Sequence, residues 1–318
     1  MTFTTRLTEL LGIEHPILLA PMGSASGGAL AAAVTSAGGF GFVGSGYASS
    51  ETVHREMLAA GNVRIGVGFI NWALQDRPEA LDAALEHNPA AVMLSFGDPT
   101  PFASRVKQAG SLLFCQVQTL DMAKQAADAG ADVIIAQGRD AGGHSGHVRG
   151  TFGLVPSVVD AVAPIPVVAA GAVADGRGLA AALVLGAEGV LMGTRFAASK
   201  ESQWSEVLKQ GAVAAAGDDT EQTRVFDIVR GAAWPTHFPG RAVRNDFSAR
   251  WHGREEELAD QRETENTRYD ATDAGDLSTR VLWAGEGVDL VKDIPSARDI
   301  VLRTVAEARK ALGASWPG

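Results

Sequence analysis

PVVAAGAVADGRGLAAALVLGAEGVLMGTR, from Pro166 to Arg195, is the stretch that decides the fold. Pro166 to Ala170 is a short, wholly apolar run of strand length. Gly171 to Gly176 is a small-residue loop, and Arg177 to Leu185 has the length and alanine content of a helix. Gly186 follows, where glycine takes the left-handed cap that ends a helix. Gly189 to Met192 is then a second apolar run, and Gly193 and Thr194 open a second loop. Strand, helix and strand in about thirty residues make one βαβ unit, the element of a parallel sheet.

The same alternation extends towards the N-terminus. Further runs of strand length are Ile17 to Ala20, Gly41 to Gly44, Arg64 to Ile70, Ala91 to Phe96, Leu112 to Val117 and Asp132 to Gln137, which brings the count to eight. Asp121 to Ala129, closed by Gly130, repeats the helix-then-glycine pattern. Most runs are continuously apolar rather than alternating, as expected of strands covered on both faces. The pattern predicts an α/β protein, a closed (β/α)8 TIM barrel whose interior is filled by side chains. An open doubly wound sheet is disfavoured, because no strand is followed by a dinucleotide-binding glycine fingerprint with an acidic residue about 20 positions on.

Composition bounds the rest. With 318 residues, 46% of them apolar, the chain can bury one large core, either one domain or one domain with an insert. A net charge of -10 argues against nucleic acid or an anionic membrane surface and leaves a small molecule as the partner. The single cysteine, Cys115, lies in an apolar run, excludes an intrachain disulfide and fits a reducing cytoplasm as a buried structural thiol. Met1 to Leu10 lacks the basic-then-apolar order of a secretory signal. The uncharged stretch from Ile17 to Ser50 is interrupted by Pro21 and several glycines, so it does not read as a membrane span.

Beyond Ala216 the composition shifts. The barrel is expected over 1–216, a charged insert or lid over 217–295, and a C-terminal helix over 296–318 that packs back on the barrel, its helical part from Ser296 to Leu312. The most charged part, Asp218 to Asp276, includes one exposed helix expected from Ser248 to Asn266. It reads equally as lid, dimer arm or surface, and a homo-oligomer is left open.

Catalytic groups of such barrels follow the C-terminal ends of strands. Four junctions carry the chemistry here. Ala20-Pro21-Met22-Gly23 is a rigid turn followed by small residues. Gln137-Gly-Arg-Asp-Ala-Gly-Gly-His144 follows the sixth run, and its imidazole, with an ordinary pKa of about 6.5, suits a general base. His147, Arg139 and Asp140 compete with it for that role. The loops at Gly171 and Gly193, after the last two runs, form the phosphate-binding pair of these barrels, and glycine there removes a Cβ that would obstruct the phosphate.

Taken together, Gln137 to His144, Ala169 to Gly178 and Leu185 to Phe196 resemble the signatures of the nitronate monooxygenase family, formerly the 2-nitropropane dioxygenases. The resemblance covers about Ile13 to Ser202, and Leu282 to Gly287 more faintly. It implies an FMN-dependent oxidoreductase that converts nitronates or nitroalkanes with O2 into carbonyl compounds and nitrite. His144 matches the family's catalytic histidine. Backbone at Gly171, Gly193 and Thr194 would hold the FMN phosphate, Met22, Gly142 and Gly143 would line the cofactor, and Gln116 and Gln137 would approach its ring system, with no metal in the site. Two positions depart from the family pattern. Ala172 stands where a glycine is usual, adding a methyl group near the phosphate. Gly68 replaces an asparagine after the third run, with Asn71 a nearby substitute. NAD(P)H-dependent flavin reductases of the enoyl-acyl carrier protein or quinone type share the histidine and phosphate loops and are the alternative. A non-catalytic flavin-binding protein is a third reading.

Overall fold

The structure, a computed structural model, describes residues 3–47 and 50–313. Residues 1–2, 48–49 and 314–318, which belong to the Met1 to Leu10, Ile17 to Ser50 and 296–318 segments, lie outside the described residues. Eight parallel strands close into a barrel: β1 (Ile17–Leu19), β2 (Phe40–Gly44), β3 (Gly66–Ile70), β4 (Ala91–Ser95), β5 (Leu112–Val117), β6 (Val133–Gln137), β8 (Val167–Ala170) and β9 (Gly189–Met192). A two-residue strand, β7 (Gly143–His144), lies outside it. Closure is made by β9 pairing with β1 in parallel, Val190 opposite Ile17. Each expected strand lies within two residues of its observed bounds.

Alternate residues of each strand enter different cores, which is why the runs are continuously apolar. Leu18, Phe40, Phe42, Met93, Phe114, Ile135, Val168 and Leu191 fill the barrel interior, capped from below by Leu7 and Leu11. Their neighbours, among them Leu19, Val67, Leu94 and Val190, pack outward under the helices. Inside, Phe42 sits edge-on to Phe40 and Phe114, with ring centroids 5.1 and 5.3 Å apart. Gly66 admits the Phe42 ring, since a Cβ there would lie 2.5 Å from it.

The helices are capped as their sequences dictate. Thr119 accepts from the Met122 amide at the start of Leu120–Asp128, and Asp175 from the Arg177 and Gly178 amides at the start of Gly176–Val184. Gly130 and Gly186, with φ +83° and +90°, turn the chain out of these helices. The helix Ala297–Leu312, capped by Ser296, packs against Gly176–Val184 and Gly28–Ser36 in the outer layer. It approaches so closely at Gly176 that a Cβ there would meet the Ala308 amide at 2.3 Å.

The charged segment is more than surface. Its strands β10 (Thr220–Thr223) and β11 (Gly240–Val243) form an antiparallel sheet in which β11 also pairs with β7, Gly240 opposite His144. The single exposed helix expected from Ser248 to Asn266 is instead three helices, Asp246–Trp251, Glu255–Asp260 and Arg262–Ala271. Gly253, at φ +79°, breaks the first from the second. Trp251, Leu258 and Tyr269 face inward onto Val225, Phe226 and Val229 in a small core of their own. The sparse apolar residues define the buried side, and the charges pair around it: Glu265, 2% exposed, takes both Arg250 and Arg268. Among the described residues no helix is long and apolar enough to cross a membrane.

Candidate active site

A cavity of about 560 Å³ opens at the C-terminal ends of the barrel strands, within the roughly 300–1,000 Å³ usual for small-ligand sites. Nine residues expected at the site from the sequence line it: Met22 after β1, Gln116 on β5, Gln137 at the end of β6, Gly142, Gly143 and His144 beyond it, Gly171 after β8, and Gly193 and Thr194 after β9. Arg139, Asp140 and His147 do not. The Asp140 carboxylate instead accepts from the Thr151 amide at 2.7 Å, the Arg139 carbonyl accepts from Arg241, and His147 is exposed.

His144 is fixed from several sides. Its ring Nε2 lies 2.9 Å from Oδ2 of Asp227, whose side chain is 5% exposed. The other oxygen of Asp227 accepts from Arg230 at 3.1 Å, one turn along the helix Val225–Arg230. The Trp234 ring stacks on the imidazole at 3.4 Å and 5°, and Trp283 lies 5.2 Å away, tilted. An ionised carboxylate only accepts, so Nε2 carries the proton and Nδ1 remains the basic nitrogen. Burial pushes the His144 pKa below the usual histidine value, while Asp227 opposes that shift without cancelling it. The ring is therefore neutral at pH 7.

The main chain of this loop is held by amides. Gln137 donates to the His144 carbonyl at 3.0 Å and accepts from Gln116 and Gln118, at 3.2 and 2.8 Å. Both ends of Gln137 are thus committed to placing the histidine loop. Gly142 lies against the segment Leu282 to Gly287, where a Cβ would meet the Gly285 amide at 2.5 Å. That segment also donates from Gly285 to the Thr194 hydroxyl at 3.2 Å, and Gly287 lies against the Ala172 carbonyl. The stretch of fainter resemblance ties together three of the site's four loops, those after β6, β8 and β9.

The glycines after β8 and β9 differ in what they permit. Gly171 has φ +112°, and a Cβ there would strike Thr151 Oγ1 at 2.4 Å, so backbone conformation and packing require glycine before any ligand does. At Gly193 a Cβ would have only ordinary contact with Met22 and Ala20, both cavity residues, so it is larger side chains that would fill the site. At the start of the helix Thr194–Ala197 the Phe196 and Ala197 amides donate to the Gly193 carbonyl, and no side chain caps the end. Ala172, expected only to add a methyl group, is itself in the left-handed region at φ +54°, a conformation glycine favours. Asn71 does not serve as the suggested substitute at position 68: it is fully buried, donates to the Gly97 carbonyl at 3.0 Å and does not line the cavity. The Pro21 ring occupies the space above Gly68, where a Cβ would come within 2.3 Å of it.

Asp227, Arg230, Trp234 and Gln118 escaped the sequence reading, and Trp283 entered it only within the fainter stretch Leu282 to Gly287. The signals were a carboxylate inside the apolar run Val225 to Val229 and lone tryptophans in an otherwise polar segment. Among the described residues no cluster of three or more histidine, cysteine or carboxylate side chains is arranged to hold a metal.

The family model described as nitronate monooxygenase matches residues 4–66 and 69–307, omitting Val67 and the anomalous Gly68. The chain is 35% identical to a nitronate monooxygenase of Neurospora crassa, over 94% of this chain and 90% of that one. Among solved structures it resembles FabK from Thermotoga maritima, with TM-score 0.85, 34% identity and 98% of each chain covered. It also resembles a nitroalkane oxidase from Streptomyces ansochromogenes, with TM-score 0.79, 30% identity and coverage of 96% of this chain and 98% of that one.

Proposed function

The chain belongs to the nitronate monooxygenase family, and on that premise we propose that it is an FMN-dependent enzyme oxidising nitroalkanes or their nitronates with O2 to a carbonyl compound and nitrite. The observation that carries this reading is the buried pair of His144 and Asp227, 2.9 Å apart, at the edge of a glycine-lined cavity.

The cavity suits FMN. Its volume is adequate, and Gly143, where a Cβ would meet nothing within 4 Å, leaves bare backbone beside which a flat ring system can lie. Gly171, Gly193 and Thr194 would hold the phosphate by backbone N–H groups, while Met22, Gln116 and Gln137 would border the ring system. When bound, FMN supplies the transfer of electrons from the substrate to O2.

The protein's own work is proton transfer and positioning. His144, kept neutral by burial, takes the α-proton of a nitroalkane on Nδ1. Asp227 holds the tautomer and stabilises the imidazolium that forms. Trp234 and Trp283 restrict the ring and keep water from it. A substrate that arrives already as the nitronate bypasses this step and needs only orientation.

Replacing His144 by Ala is expected to lower kcat/KM for a neutral nitroalkane by about 10² to 10⁴, the usual worth of a positioned base, and to reduce it much less for the preformed nitronate. A fully active variant with FMN bound would refute the assignment. The likeness to FabK favours a second reading, an NAD(P)H-dependent flavin reductase of the enoyl-acyl carrier protein kind. Anaerobic mixing separates the two: bleaching of the flavin by nitronate alone supports the first, and rapid reduction by NADPH with no response to nitronate supports the second.

A further inference from the structure

We propose that the part of the cavity beside His144 is a subsite for a flat, conjugated anion, with Arg230 receiving the negative group and aromatic side chains receiving the carbon frame. In the reaction proposed above, on which this inference rests, the substrate is then an aryl-substituted nitronate rather than a short alkyl one.

Charge is the first ground. The chain carries a net -10, yet among the described residues lining the cavity Arg230 is the one arginine or lysine, and no aspartate or glutamate lines it. Tyr47, also in the lining and 46% exposed, has its phenol raised above the usual tyrosine value and adds no negative charge. Asp227 stands behind Arg230 and orients it. The guanidinium donates from Nε to the Phe226 carbonyl at 2.7 Å and from Nη2 to Asp227 at 3.1 Å, and no described protein group accepts from Nη1. A guanidinium fixed along one edge, with a donor to spare and its side chain 35% exposed, is preorganised for an oxyanion.

Shape is the second ground. Tyr47, Phe96, Trp234 and Trp283 all line the cavity around His144. Phe96 and Tyr47 meet Trp234 edge to face, with centroids 4.9 and 6.3 Å away, and the Arg230 guanidinium lies 5.5 Å from the centre of the Trp283 ring. Aromatic walls near one oriented cation discriminate in favour of planar π-systems that carry a negative charge. A two- or three-carbon nitronate would leave most of that surface without a partner.

The test is calorimetric titration of the purified holoenzyme with three probes of similar size: benzoate, cyclohexanecarboxylate and benzamide. Benzoate is expected to bind at least about 10-fold more tightly than either of the others, since it alone is both flat and anionic. Arg230→Gln should weaken benzoate by about 10- to 100-fold and leave benzamide unchanged, while Arg230→Lys, which keeps the charge, should recover part of the loss. In turnover, the nitronate of phenylnitromethane should have a KM at least about 10-fold below that of propyl-2-nitronate. Equal affinities for benzoate and cyclohexanecarboxylate, or equal loss of benzoate and benzamide binding in Arg230→Gln, would overturn the subsite. The benzoate pattern without turnover of any nitronate would uphold the subsite and sink the proposed reaction. Nitronate turnover without discrimination among the probes would do the reverse.

Discussion

Replacing Asp227 by Asn tests how the site makes its base. The substitution preserves shape, and an amide oxygen can still accept from His144 Nε2, so the loop should keep its place between Trp234 and Trp283. What disappears is a buried negative charge 2.9 Å from a ring that becomes positive when it takes the substrate proton. A hydrogen bond to a charged partner contributes about 1.5–3 kcal/mol, which corresponds to a fall in kcat/KM of about 10- to 100-fold with a neutral nitroalkane. The pH profile shifts in a defined direction. In the proposed reaction neutral His144 is the active form, so kcat/KM is expected to fall as pH drops through its pKa, which burial already holds below the usual histidine value. Asp227 raises that pKa and Arg230 lowers it; without the carboxylate the acid limb moves to still lower pH, beneath a reduced plateau. Nitrite release from nitroethane across pH 4.5–9, a range chosen to span about two units on either side of an ordinary histidine, would measure both quantities. The same assay with preformed ethyl nitronate should show a smaller loss, the part that comes from Arg230 losing its Asp227 acceptor. A plateau within about threefold of the parent, or an acid limb that moves upward, would refute the pairing as a catalytic device.

Other consequences follow from particular positions. Gly193→Ala should retain FMN, because a Cβ there makes only ordinary contacts, whereas Gly193→Leu should yield protein with at least about 10-fold weaker FMN binding by fluorescence titration; equal affinities would remove Gly193 from the phosphate site. Ala172→Gly should raise resistance to urea by about 1 kcal/mol, since it relieves a left-handed alanine at φ +54°, and a lowered midpoint would contradict that. Cys115, 2% exposed and with its thiol pushed up to about 12 chiefly by burial, should resist iodoacetamide at pH 8 until the protein is unfolded; fast labelling of the native protein would show that this side of the barrel opens.

How much of the site is legible from sequence depends on where each contact is made. Met22, Gln137, His144, Gly171 and Gly193 could be placed because each sits at or just beyond the end of an apolar run, and in a closed parallel barrel those ends converge on one mouth. The roles of the glycines were less legible. Gly171 is demanded by its own φ and by Thr151, and Gly142 by the backbone of Gly285, contacts that only the folded chain creates.

By itself the sequence determined the eight strands, their helices and the direction in which the loops point, because burial on both faces and glycine caps are local signals that each segment carries alone. Only the tertiary structure decided that the charged segment reaches back to the site. Asp227 lies 83 residues beyond His144 and meets it because β11 pairs with β7. The helix Val225–Arg230 rests on a core of Trp251, Leu258 and Tyr269 that a charge-rich composition conceals. A partner held at such a separation leaves no periodicity in the chain. Its position follows from packing, in which a few buried apolar residues outweigh many solvated charges.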